Sequence, residues 1–180
     1  QDESVRADTS LEKLAKLRPV FDKEGSITAG NAPGINDGAA ALLVMSADKA
    51  KALGLKPLAR ILAYGEVADD YPYLARTPAN AIKAALQQAN MTTDQLDLIE
   101  INEAFAAVTL LSTKLLEVSP DIVNVNGGAI AMGHPVGASG ARLVGTLAHE
   151  LIAQGKRFGA AGICSGGAQG DAIIIENLTL

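Results

Sequence analysis

The feature that most constrains this chain is a repeated change of hydrophobic period over its last two-thirds, from short apolar runs to helix-spaced stretches and back. Residues 47–53 read as a helix, 57–65 as a strand, Asp69–Arg76 as an irregular loop, and Pro78–Gln88 as a helix opened by its proline. The rhythm then returns: a buried strand over 97–101, a helix over 103–117, a short strand over 122–126, and a helix over 139–154 that stops at Gly155. Two strands, 157–164 and 171–177, close the chain. Strands joined by crossover helices of this length predict an α/β fold, with a mainly parallel sheet covered by helices and a closing pair open to an antiparallel arrangement.

Ahead of this region, residues 10–20 carry apolar positions at helical spacing behind Ser10, and Pro19 halts them. A loop follows in which Gly30, Asn31, Pro33, Gly34, Asn36 and Gly38 crowd together, and it feeds an apolar strand over 39–46. Aromatics make up only 3% of the 180 residues, against 18 glycines. The core must therefore come from small aliphatic side chains and closely packed backbones.

A net charge of −5 offers no footprint for a phosphate backbone or an anionic membrane surface, so neither nucleic acid nor membrane is expected as a partner. No apolar run approaches the roughly 20 residues of a membrane-spanning helix, and the opening QDESVRAD lacks signal-peptide character; a soluble, cytoplasmic protein is expected. Cys164 is the single cysteine and stands with only His134 and His149, which rules out an internal disulfide framework and leads us to expect no metal site.

In sheets of the expected kind, sites form beyond the C-terminal ends of strands. Three turns fall at such ends: Asn102, the glycine-rich run 127–140, and 164–170. In NVNGGAIAMGHPVGASGAR (124–142), His134 lies between glycines and a proline just before a helix whose N-terminus favours negative charge. A buried, hydrogen-bonded histidine in a structural turn explains this run equally well. In GAAGICSGGAQGDA (159–172), Cys164 ends a strand of small residues; an inert, buried thiol is the more frequent case, a reactive one the sharper reading. In NEAF (102–105), Asn102 is placed to cap a helix, with Glu103 complementing its dipole. The glycine runs fit no phosphate-loop or dinucleotide pattern.

NEAF, GGAIAMGHPVGASGAR and CSGGAQG, in that order and preceded by GNAPGINDGAA, resemble the thiolase family, in particular acetyl-CoA acetyltransferases. The resemblance runs along essentially the whole chain. It implies a duplicated, five-layer αβαβα fold of which this sequence holds the last portion: 1–27 as the remnant of a loop domain, 28–48 as the end of the N-terminal half, and 49–180 as the C-terminal domain. It implies an acyltransferase that condenses two acetyl-CoA molecules reversibly into acetoacetyl-CoA and CoA, or cleaves 3-ketoacyl-CoA. Coenzyme A thioesters would be substrates, with no further cofactor.

By the same resemblance, His134 would activate a nucleophilic cysteine and help to bind the thioester oxygen. Asn102 would hold a water completing that oxyanion hole, Cys164 would be the acid/base at the substrate α-carbon, and the Gly166 N–H would donate to a second oxyanion hole. Arg6 would lie against the adenine, Ala32 and Pro33 along the pantetheine, and Leu74 and Phe105 beside its thiol end. Pro33 replaces a common serine and Leu74-Ala75 a common Met-Gly, which bears on the acyl chain accepted. The family's nucleophilic cysteine has no counterpart here, so the chain by itself is expected to be inactive. An N-terminal thiolase half and further copies, as a dimer or tetramer, are the expected partners. A non-catalytic acyl-CoA-binding module and a Cys-His hydrolase with Cys164 as nucleophile stand as the alternatives.

Overall fold

A computed structural model describes residues 3–180; the first two residues of the 1–27 segment lie outside the described residues. The helices are α1 (Leu11–Leu14), α2 (Ala47–Ala52), α3 (Thr77–Ala89), α4 (Ala106–Leu116), α5 (Ala129–Met132) and α6 (Ser139–Ala153). The strands are β1 (Ala59–Ala68), β2 (Leu98–Ile101), β3 (Phe158–Ser165) and β4 (Gln169–Asn177). Their order in the sheet is β1-β4-β3-β2.

The expected α/β class holds, and the sheet is mixed, but the balance of directions differs from expectation. Only β2 and β3 run parallel; β4 is antiparallel to both β3 and β1. Position in the chain explains this. The tight turn 166–168 makes β3 and β4 a hairpin, and β1 then pairs with the far edge of β4. The run 122–126 supplies a 3-10 turn (Pro120–Ile122) and one parallel bridge, Ile99 to Val123, rather than a strand.

Two apolar clusters lie on opposite faces of the sheet. Ile82, Ala85 and Leu86 of α3 and Val108 and Leu116 of α4 meet Ile99, Ile101, Ala160 and Ile174. On the other face Leu143, Leu147 and Leu151 of α6 meet Leu98, Ala161 and Ile175. The described residues thus form three layers, helix, sheet and helix. The glycine-rich composition has a direct use here: a Cβ on Gly65 would stand 2.3 Å from the Ala81 carbonyl oxygen, so only glycine lets β1 approach α3 this closely.

The first 48 residues depart most from the sequence pattern. The expected helix over 10–20 shrinks to the single turn α1, capped by Ser10. Residues 39–46 form no strand and pair with none among the described residues, and Leu43 and Val44 are exposed. The apolar pattern there has nothing to bury against.

Candidate active site

The site is assembled where β2 and β3, running parallel, both end. The Asn102 N–H donates to the Gly162 carbonyl at 3.0 Å, which fixes Asn102 one step beyond the last β2 residue. Its side chain is buried and does not cap α4, as the sequence led us to expect; Phe105 occupies the cap position, with no side-chain hydrogen bond. Instead Asn102 Nδ2 lies 3.2 Å from His134 Nε2. Glu103 also departs from its expected place. Its carboxylate accepts the Ile130 N–H at 2.9 Å, at the start of α5, and takes a 3.3 Å bond from Asn124 Nδ2.

His134 is held from several sides. Its backbone N–H is shared between the Gly34 carbonyl (3.0 Å) and Asn36 Oδ1 (3.1 Å), and Ile35 forms a parallel bridge with it. Gly133 reaches this position with φ +93°, and any Cβ there would collide with the Asn36 side chain. Arg142 of α6 donates to the Gly133 carbonyl at 2.8 Å. The ring Nδ1 lies 2.7 Å from the buried Ser139 Oγ. Burial, aided by the nearby Arg142 cation, holds the imidazole below its ordinary pKa, so the ring is neutral near pH 7.

Cys164 lies near the end of β3. Asn102 follows Ile101, which is in register with Gly162, so Cys164 stands one step past Asn102's own register; strand spacing and rise put their Cα atoms about 6 Å apart. Cys164 packs against the cluster beneath α3 and α4, and no hydrogen bond joins its thiol to His134 or Asn102 among the described residues. Burial pushes the thiol pKa up, partly offset by its own backbone N–H. Gly166 opens the exposed turn that follows, with no atom within 4 Å of where a Cβ would stand.

The remaining sequence candidates divide. Ala32 and Pro33 fall between two anchored points, since the Asn31 carbonyl accepts the Ala106 N–H at 2.9 Å while Gly34 holds His134. They therefore run beside both α4 and the His134 loop. Phe105 packs against the α3/α4 cluster and meets Phe21 edge-on, with ring centroids 6.4 Å apart. Leu74 belongs to a 3-10 turn (Tyr71–Arg76) that packs on α4 and β3, where a loop was expected. Arg6 is exposed in the N-terminal segment, and none of these contacts ties it to the site.

Sequence reasoning gave no role to Asn36, Ser139 and Arg142, which lie inside the quoted segments and hold His134. It also missed Glu100 of β2. This carboxyl is buried, and desolvation, reinforced by the Glu103 charge and opposed by Arg142, pushes its pKa up to about 7.

Fold and site together define an α/β protein that brings an imidazole and an amide into contact at the end of a mixed sheet, with a thiol one strand away. Residues 55–177 match the family model described as the thiolase C-terminal domain, and residues 1–48 match the thiolase N-terminal domain. A probable acetyl-CoA acetyltransferase of Mycolicibacterium smegmatis is 55% identical over 98% of this chain and 45% of its own length. The crystal structure of the Bacillus anthracis acetyl-CoA acetyltransferase superposes with a TM-score of 0.95 at 48% identity, covering 99% of this chain and 45% of that one. Human mitochondrial 3-ketoacyl-CoA thiolase gives a TM-score of 0.92 at 42% identity, covering 99% and 45%. The chain belongs to the thiolase family, and it spans less than half the length of these relatives.

Proposed function

We propose that this chain supplies the acid/base half of an acyl-transfer site acting on coenzyme A thioesters, in the reversible Claisen condensation of acetyl-CoA or the thiolysis of 3-ketoacyl-CoA. The observation that carries this reading is the 3.2 Å contact between Asn102 and His134 at the sheet end where the Cys164 strand also terminates. A thioester α-proton is too weakly acidic for an unassisted thiolate, so donors must stabilise the enolate oxygen as the proton leaves. Each well-placed donor is worth about 2.7–4 kcal/mol.

His134, neutral and with Nε2 turned toward Asn102, takes the proton of an attacking thiol, and the resulting Nε2–H donates a hydrogen bond to the thioester oxyanion while the departing thiolate or enolate takes its proton from Cys164. Asn102 assists through a water, Cys164 moves the α-proton, and the Gly166 N–H donates to the second oxyanion. Ala32, Pro33, Leu74, Phe105 and Arg6 contribute to holding coenzyme A, and no separate cofactor takes part. The attacking cysteine comes from an N-terminal thiolase half, because the single Cys164 is committed to acid/base work. The absence of a Cys164–His134 hydrogen bond disfavours a hydrolytic dyad built on this thiol.

The test is thiolysis of acetoacetyl-CoA by the chain alone and with an N-terminal thiolase half supplied in trans. No turnover is expected alone, and turnover abolished by Cys164→Ala is expected with the complement. Turnover by the unaided chain overturns the division of labour.

A further inference from the structure

The hydrogen bonds around His134 form a directed series. Ser139 Oγ lies 3.0 Å from the Pro135 carbonyl, one helical turn earlier, in the back-bonding geometry that a serine hydroxyl adopts near a helix start. A hydroxyl has one proton. If it is donated to Pro135, the oxygen is left with only lone pairs for His134 Nδ1 at 2.7 Å, and Nδ1 must carry the hydrogen. Nε2 then presents a lone pair, which accepts from Asn102 Nδ2 at 3.2 Å.

The opposite direction turns the Ser139 hydroxyl hydrogen away from the Pro135 carbonyl, which keeps the Ala138 and Ser139 N–H groups at 2.9 Å, and requires Asn102 to turn its amide over. The NH2 group would then sit where Oδ1 now stands, buried and without a partner among the described residues. An unpaired amide donor is costlier there than an under-satisfied carbonyl oxygen. We infer that Ser139 is a positioning residue that, together with the Asn102 amide, fixes His134 as its Nδ1–H tautomer, so that the Nε2 lone pair takes a proton when the Asn102 contact opens.

The arrangement parallels the role a carboxylate plays toward a catalytic imidazole, with one physical difference. A hydroxyl relayed onto a backbone carbonyl sets the tautomer but adds no negative charge, so it does not stabilise the imidazolium. That agrees with a ring held neutral by burial and by Arg142. When Nε2 takes the proton of an attacking thiol, the Nδ1–H bond to Ser139 stays in place and the same Nε2–H becomes the donor to the thioester oxygen. This use of the tautomer rests on the acyl-transfer reading; the tautomer itself rests on the hydrogen bonds alone.

The test needs no substrate, so its outcome is separable from that of the acyl-transfer reading. The chain has two histidines, and replacing the exposed one, His149→Gln, leaves a single imidazole to follow. Long-range 15N correlation spectra at neutral pH are expected to show a protonated Nδ1 and a pyridine-like Nε2. Ser139→Thr, which keeps the hydroxyl, is expected to preserve that pattern. Ser139→Ala leaves Nδ1–H without its acceptor and only the Asn102 contact to favour it, so the Nε2–H fraction is expected to rise. An Nε2–H ring in the chain with Ser139 intact overturns the inference, as does a folded alanine variant whose tautomer ratio is unchanged. If the alanine variant fails to fold, the spectra of the chain with Ser139 intact and of the Ser139→Thr variant decide the matter between them.

Discussion

His134 and Cys164 stand at the same end of one sheet but are held in contrasting ways. The imidazole loop is tied by Gly34, Asn36, Asn102, Ser139 and Arg142, all through hydrogen bonds. The thiol leans on apolar neighbours and opens onto a glycine turn with empty space around Gly166. The difference suits the two kinds of proton transfer proposed for them. A group that must aim one nitrogen at one atom gains from a rigid frame. A thiol that must reach a substrate carbon gains from an unencumbered sulfur whose protonated form is favoured by burial.

The contrast has consequences on the polar side first. Glu100 supports this region at a cost: its folded-state pKa, about 7, lies above that of an ordinary glutamate, so the folded state binds a proton more tightly than the unfolded chain does. Stability is unaffected below the unfolded pKa and is lost as pH rises toward 7. Glu100→Gln is therefore expected to stabilise the protein above pH 7 by up to about 3 kcal/mol, with the gain vanishing near pH 4. Urea unfolding at the two pH values measures it, and an equal effect at both would show that the carboxyl is not the source.

Glycine substitutions compare the two sides directly. Gly133→Ala forces a side chain into φ +93° and into Asn36, with an expected cost of about 1–3 kcal/mol. Gly166→Ala meets nothing and should change stability by less than about 0.5 kcal/mol. Equal costs in chemical denaturation would erase the distinction between a framed and an open side.

Titration gives the smaller, directional effects. Alkylation of Cys164 by iodoacetamide should be slower than that of free cysteine at pH 8 and should keep rising with pH beyond the point where the free thiol levels off. Arg142→Met removes a cation that depresses the His134 pKa, so that pKa should rise when followed by NMR. An unchanged value would assign the whole depression to burial.

Much of this was legible in the sequence, for reasons that differ by region. From α3 onward, α3, β2, α6, β3 and β4 could be read because their apolar periods face a buried core, whereas the run 122–126 gives one bridge and no strand. Cys164, His134 and Asn102 could be picked out because glycines and strand ends marked them. The antiparallel closing pair, β3 and β4, fell within what the sequence left open, but the place of β1 was not legible: pairing it with the outer edge of β4 depends on tertiary contacts that no local period encodes. The strand expected over 39–46 failed for a similar reason, since an apolar pattern becomes a strand only when a neighbour completes its ladder. Ser139 and Asn36 were invisible because a serine at a helix start and an asparagine in a loop are ordinary until the imidazole they hold is in place.

The central claim is that Cys164 moves a proton and does not attack the substrate. Intact-mass analysis of the chain after incubation with acetyl-CoA tests it most directly. The account predicts an unmodified Cys164, with the thiol still open to alkylation afterwards; an acetyl group mapped to Cys164 and lost on Cys164→Ala would contradict it.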